Sequence, residues 1–120
     1  MLPFDWSVSW VVDAANNGYD CWLSSRRGML YADKNSNDGT WSEKERWNFS
    51  WPQSGTIDIP KQIEVALDVT GKSKVTLVAY SRGTTASLYG LAKMQDWYAE
   101  RLDRAVMMAA CVVPPIPTTT

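Results

Sequence analysis

No histidine occurs among these 120 residues, and that absence limits the chemistry more than any other feature. A serine nucleophile needs a neighbouring base, most often an imidazole, and this chain cannot supply one. Cysteine is scarce as well. Cys21 and Cys111 each sit alone in an apolar, strand-like run, with no Cys-x-x-Cys pair. That pattern favours buried free thiols over a disulfide. Neither sign of charge dominates: 12 Lys and Arg against 13 Asp and Glu leave a net charge of −1. The electrostatic case for nucleic acid or an anionic membrane surface is therefore missing. No window reaches the ~20 apolar residues that a membrane span requires, and residues 1–12 lack the basic start and apolar core of a signal peptide. A soluble, globular chain is expected, one small domain that is short for a sheet of several parallel strands.

What is present is concentrated in residues 74–90, KVTLVAYSRGTTASLYG. The run Val75-Thr76-Leu77-Val78-Ala79 predicts a strand buried on both faces, of the parallel-sheet kind. It leads into Tyr80-Ser81-Arg82-Gly83, and a helix-like stretch through Leu88 and Leu91 follows. A serine between small residues at a sharp strand-to-helix turn is the pattern of a nucleophile elbow. Such a turn lifts the hydroxyl clear of the sheet and aims the next backbone N–H, at the helix N-terminus, where an oxyanion would form. Ala79 stands where the usual Gly-x-Ser-x-Gly pattern has its first glycine, an addition of one methyl group. Ser81 is the candidate nucleophile; the pattern alone leaves an ordinary strand-to-helix turn open.

Asp5 or Ser7 is positioned to cap a first helix with Val8, Val11, Val12 and Ala15 on one face, stopped by Asn17-Gly18. A short strand is expected over residues 19–25, then Arg26-Arg27-Gly28 and a long polar loop through Gly39. The paired arginines suit phosphate, but loop-anchoring ion pairs are favoured. Trp41, Trp47 and Trp51 belong to one segment, read as packing a loop against the domain in preference to a sugar-stacking surface. Asn48-Phe49-Ser50 is formally a glycosylation acceptor, and its aromatic neighbours suggest burial. Asp58 predicts a helix N-cap with Pro60 in the first turn, Ile59, Ile63, Ala66, Leu67 and Thr70 on one face and Gly71 as the stop. Gly71-Lys72-Ser73 lacks the lead-in of a phosphate loop. A short polar helix over residues 95–103 and an apolar strand over 105–113 complete the body, and residues 114–120 form an extended Pro/Thr tail. The order of elements predicts an α/β chain with about three parallel strands and flanking helices, with right-handed crossovers. Outer strands of so small a sheet would present unpaired backbone groups to water or to another chain.

Several separated segments together resemble one family, the acid lipases of the α/β-hydrolase fold. Asn17-Gly18-Tyr19-Asp20-Cys21-Trp22-Leu23 is similar to the family's Ala-Gly-Tyr-Asp-Val-Trp-Leu strand. Arg27-Gly28, Tyr31 and Lys34 fall on its Ser-Arg-Gly-x-x-Tyr-x-x-Lys loop. Trp47-Asn48-Phe49-Ser50-Trp51, Gly55 and Asp58-Ile59-Pro60 follow its Trp-x-Phe-Ser-(Trp/Tyr), Gly and Asp-Leu-Pro positions. Thr70-Gly71 matches the Thr-Gly before the elbow strand, and Ala79-Tyr80-Ser81-Arg82-Gly83-Thr84-Thr85 lies on Gly-His-Ser-Gln-Gly-Thr-Thr.

The resemblance implies a partial α/β-hydrolase fold, with residues 1–113 as the central portion of a lipase domain. It implies hydrolysis of lipid esters, triacylglycerols or sterol esters, through an acyl-enzyme on Ser81, with the Arg82 backbone N–H as one oxyanion donor. The second donor, the acid and the histidine would come from outside these residues. No cofactor or metal is implied; the implied partners are a lipid ester and, for the complete protein, transient contact with lipid surfaces. The family is mostly secreted or lysosomal, and nothing in this chain assigns a compartment. Tyr80 replaces a histidine, Arg82 a glutamine, and Ala109-Ala110 a Gly-Pro or Ala-Pro. The alternative expectation is a truncated, catalytically inactive chain acting at most as an interaction module.

Overall fold

The computed structural model describes residues 9–28 and 42–112. The candidate caps Asp5 and Ser7, with Val8, Tyr31, Lys34, Trp41 and the tail over 114–120, lie outside the described residues. Helix α1 spans Trp10–Asn16. Asn17 closes it, and Gly18 follows at φ 88°, a left-handed turn suited to glycine.

Residues 19–25 form no strand and are exposed. An isolated extended segment has nowhere to place its backbone hydrogen bonds, and no described strand lies beside this one to receive them. Its apolar residues are consequently uncovered, and Cys21 is exposed where burial was expected. Both cysteines are free.

Helices α2 (Glu43–Trp47) and α3 (Trp51–Gln53) lead through a π-helical turn over Ser54–Asp58 into α4, Ile59–Thr70. Because the turn is already helical, Asp58 has right-handed helical angles and makes no side-chain cap, contrary to expectation. Its carboxylate is used elsewhere, as shown below. Pro60, Ile63 and Ala66 are buried along the expected face of α4, and Gly71, at φ 65°, ends the helix with its N–H on the Leu67 carbonyl.

Strand β1, Val75–Tyr80, pairs in parallel with β2, Leu102–Met108. The crossover between them contains α5, Arg82–Lys93, and α6, Gln95–Arg101. The register runs from Val75 opposite Leu102 to Tyr80 opposite Met108, with one irregularity after Val75. β2 thus begins three residues earlier than its apolar run suggests. Leu102, buried beside Val75, is what draws the preceding residues into the ladder. Among the described residues the sheet has two strands. With one covered face at most, only Ala79 of β1 and Leu102 of β2 are buried, so the expected double burial is not met.

The core lies between α4, α6 and the start of the sheet. Ile63, Tyr98 and Leu102 form its centre, with Leu67, Val75, Leu91 and Trp97 packed around them. Tyr98 is wholly buried and donates its hydroxyl to the Gly55 carbonyl at 2.6 Å. That bond ties the π-helical turn to α6, beside the place where the turn meets α5. The two backbones approach so closely there that a Cβ on Gly55 would collide with the Ala86 carbonyl oxygen, and one on Gly90 with the Gly55 carbonyl. Lys74 Nζ donates to the carbonyls of Ala99 (2.7 Å) and Leu102 (3.3 Å), tying the start of β1 to the end of α6.

Candidate active site

The chain turns from β1 into α5 through one residue, Ser81, with φ 49° and ψ −119°. A non-glycine residue at such angles is strained by about 1–3 kcal/mol and persists only where its surroundings hold it. Three contacts do so. The Ser81 N–H donates to the Met108 carbonyl at 3.0 Å, continuing the ladder one residue past the strand. The Ser81 carbonyl accepts from the Thr84 N–H at 2.9 Å and from Thr84 Oγ1 at 2.5 Å. Thr84, itself wholly buried, accepts the Cys111 N–H at 2.9 Å, and Thr85 Oγ1 donates to the Cys111 carbonyl at 2.6 Å.

The backbone of Ser81 is thus clamped, while its side chain makes no hydrogen bond to the other described residues. Ser81 occupies the N-cap position, where a serine hydroxyl ordinarily accepts a first-turn N–H, yet it makes no such bond, and the residue is exposed. Arg82, the first residue of α5, has no intrahelical acceptor for its N–H. Hydroxyl and N–H therefore stand side by side at the positive end of a 12-residue helix. Ser81 and Arg82, the two residues singled out from the sequence, are neighbours at this turn.

Ala79 is compatible with the turn. A Cβ added at Gly83 would lie 3.9 Å from the Ala79 Cβ, ordinary contact, so the methyl that replaces a glycine hydrogen meets no obstruction there.

Behind the elbow lies a cleft of about 270 Å³ between residues 24–26, the π-helical turn, α4, β1 and the start of α5. Arg82 belongs to its wall; Ser81 does not. Arg27 grips Asp58 through Nη2 (2.7 Å) and Nε (2.8 and 3.1 Å), and Gln62 Nε2 donates to the Ser25 carbonyl at 2.9 Å. The loop-anchoring role expected for the arginine pair thus falls to Arg27. Burial lowers the pKa of Arg26, and the like charge of Arg82 acts in the same direction, while Asp58 opposes both.

The aromatic segment covers this loop: a Cβ on Gly28 would meet the Phe49 ring at 2.9 Å and Trp47 at 3.5 Å. Packing is its role there, although Trp47 stays 58% exposed. Asn48 is exposed, where its aromatic neighbours suggested burial. Among the described residues no group of three or more Cys, Asp or Glu side chains is arranged to hold a metal ion, and no helix is long and apolar enough to cross a membrane. Thr84 and Tyr98, which hold the elbow and its helix in place, were not picked out from the sequence. The threonine after Ser-x-Gly was the available signal for the first; nothing local marked the second.

A strand that turns through a strained, exposed serine into a helix, beside a parallel neighbour, defines an α/β protein of the elbow type. Residues 4–120 match the family model described as alpha/beta hydrolase fold, and the chain belongs to that family. Within it the chain is acid-lipase-like, as its separated motifs imply. It is 30% identical to Lipase lipl-3 of Caenorhabditis elegans over 95 residues, which are 79% of this chain and 23% of the relative. Sterol esterase 2 of Saccharomyces cerevisiae is 32% identical over 104 residues, 82% of this chain and 19% of the relative. Lysosomal acid lipase/cholesteryl ester hydrolase of Macaca fascicularis is 28% identical over 115 residues, 88% and 28% of the two chains. The chain spans about a quarter of the length of the curated relatives it matches. No solved structure matches.

Proposed function

We propose that these residues carry the nucleophile of a serine ester hydrolase acting on lipid esters. Ser81 Oγ attacks the ester carbonyl, its proton passes to a histidine base supplied from outside these 120 residues, and the developing oxyanion is held in part by the Arg82 N–H. The tetrahedral intermediate collapses, and the alcohol leaves with the proton from the histidine. Water then hydrolyses the acyl-enzyme by the same route in reverse roles, releasing the fatty acid. The observation that carries this reading is Ser81 itself, exposed and without a side-chain hydrogen bond among the described residues, on a clamped turn of unfavourable backbone angles. The names of the relatives, lipases and a sterol esterase, support the lipid ester as substrate class. Transient contact with a lipid surface goes with such a substrate. Ser81→Ala in a protein that carries these residues together with a histidine base is expected to abolish turnover of a chromogenic ester. Undiminished turnover overturns the proposal.

The lack of any histidine favours a second reading for the 120 residues by themselves: a catalytically inactive chain acting at most as an interaction module. Without its triad partners a serine site retains about 10³–10⁴-fold over water, and then only with oxyanion hole and binding site intact. Labelling of Ser81 in the isolated chain by a fluorophosphonate probe would count against this reading; no labelling is its expected result.

A further inference from the structure

The cleft behind the elbow has a charge pattern that the hydrolytic chemistry does not use. Three guanidinium groups belong to it or adjoin it, and its wall holds a single carboxylate, Asp58. Arg27 takes both oxygens of Asp58. Arg26 and Arg82, both in the wall, have no hydrogen-bonded or ion-paired partner among the described residues. Two like charges held at one cleft repel each other, and the depressed pKa of Arg26 has Arg82 among its causes, after burial. Arg26 is half-buried and Arg82 exposed; a cation that has lost part of its water, as Arg26 has, is costly to leave unpaired unless an anion compensates it.

A second observation is independent of the arginines. Ser87, also in the wall and wholly buried, has a hydroxyl with no hydrogen-bond partner. Buried hydroxyls are seldom left unsatisfied, and one at a cleft wall can donate to an occupant of that cleft. The first turn of α5 adds backbone N–H groups and the positive end of the helix dipole at the same wall, through Arg82 and Gly83. The remaining wall is largely apolar, with Trp51, Ile59 and Leu77. The volume is about nine times the ~30 Å³ of a liquid water molecule, enough for an oxyanion carrying a short alkyl chain.

We propose that this cleft binds an organic oxyanion, a carboxylate or a phosphate on a short apolar chain, held by Arg26 and Arg82 with Ser87 as a further donor. Anion binding itself requires no turnover.

The test is a titration of the isotopically labelled chain with butyl phosphate, butyrate and butanol, followed by the amide signals of Gly83 and Ser87 and the Nε–H signals of Arg26 and Arg82. Saturable shifts with at least one of the two anions and none with butanol are expected. Response to butyl phosphate alone identifies a phosphate ligand, and response to butyrate alone a carboxylate. Arg26→Gln and Arg82→Gln should each weaken binding about tenfold, the effect of one lost charge-assisted pair. Ser81→Ala should bind as the parent chain does, which separates this proposal from the fate of the hydrolase reading. Should either glutamine variant fail to fold, displacement of butyl phosphate by inorganic sulfate from the unaltered chain supplies the same information. Absence of saturable shifts, equal affinity in folded glutamine variants, or an equal response to butanol overturns the proposal.

Discussion

Thr84 Oγ1 donates to the carbonyl oxygen of Ser81 at 2.5 Å and in turn accepts the N–H of Cys111 at 2.9 Å. One buried hydroxyl thus joins the strained serine to the segment that follows β2. Thr84→Val keeps the volume, leaves the Cys111 N–H without this acceptor and the Ser81 carbonyl with only the backbone N–H of residue 84, and should destabilise the chain by about 1–3 kcal/mol. Thr84→Ser keeps the hydroxyl and should cost less. Urea unfolding of the two variants checks the order; a loss in Thr84→Ser larger than in Thr84→Val would show that packing of the methyl group outweighs the hydrogen bonds.

The Arg27–Asp58 pair links the loop before the cleft to the start of α4. Side-chain exposures of 23% and 10% make it a partly buried bidentate pair. Removing one partner of a fully buried pair costs about 3–5 kcal/mol, and the exposure of Arg27 reduces the expected loss to about 1–3 kcal/mol. Asp58→Asn and Arg27→Gln should each show a loss in that range, and the double variant less than their sum. Additive losses in a double-mutant cycle would mean that the two residues act separately.

Burial raises the pKa of Tyr98 from its usual value near 10 to about 12. The folded state therefore holds the phenolic proton more tightly than the unfolded chain. The resulting stabilisation is fully present below about pH 10 and is lost as the pH rises from about 10 towards 12. Tyr98→Phe should lower stability at neutral pH by about 1–2 kcal/mol through the unsatisfied Gly55 carbonyl. It should also flatten the decline in stability between pH 10 and 12. Parallel pH profiles for the two proteins would contradict the assignment.

Two glycines near the elbow should respond in opposite ways. Gly55→Ala drives a methyl group into the backbone of α5 at Ala86 and Gly90, and should weaken or abolish folding. Gly83→Ala places its methyl 3.9 Å from the Ala79 Cβ and should change stability by less than about 1 kcal/mol in either direction. Thermal melts of both variants decide the matter.

Much of the local structure was legible in the sequence, because it depends on neighbours within a few residues. Asn17-Gly18 and Gly71 stop their helices since glycine alone adopts left-handed angles cheaply, and α4 buries the face that its 3.6-residue period marks. The step from an apolar run through Ser81 into a helix was likewise visible, and with it the family. Asp58 shows where such rules end. Its position before Pro60 suited a cap, but an arginine 31 residues away offered a full charge in place of an exposed N–H.

The sequence by itself determined which segments are strand and helix around Ser81, and that no histidine among these residues can activate it. Only the tertiary structure decided that Met108 stands opposite Tyr80, that Thr84 and Cys111 clamp the turn, and that Tyr98 reaches Gly55 across 43 residues. The physical reason is that a turn's conformation is permitted by its own residues but held by distant ones. Strand register, close backbone approach and the pairing of buried polar groups are properties of surfaces brought together by folding, and no local pattern encodes which two surfaces will meet.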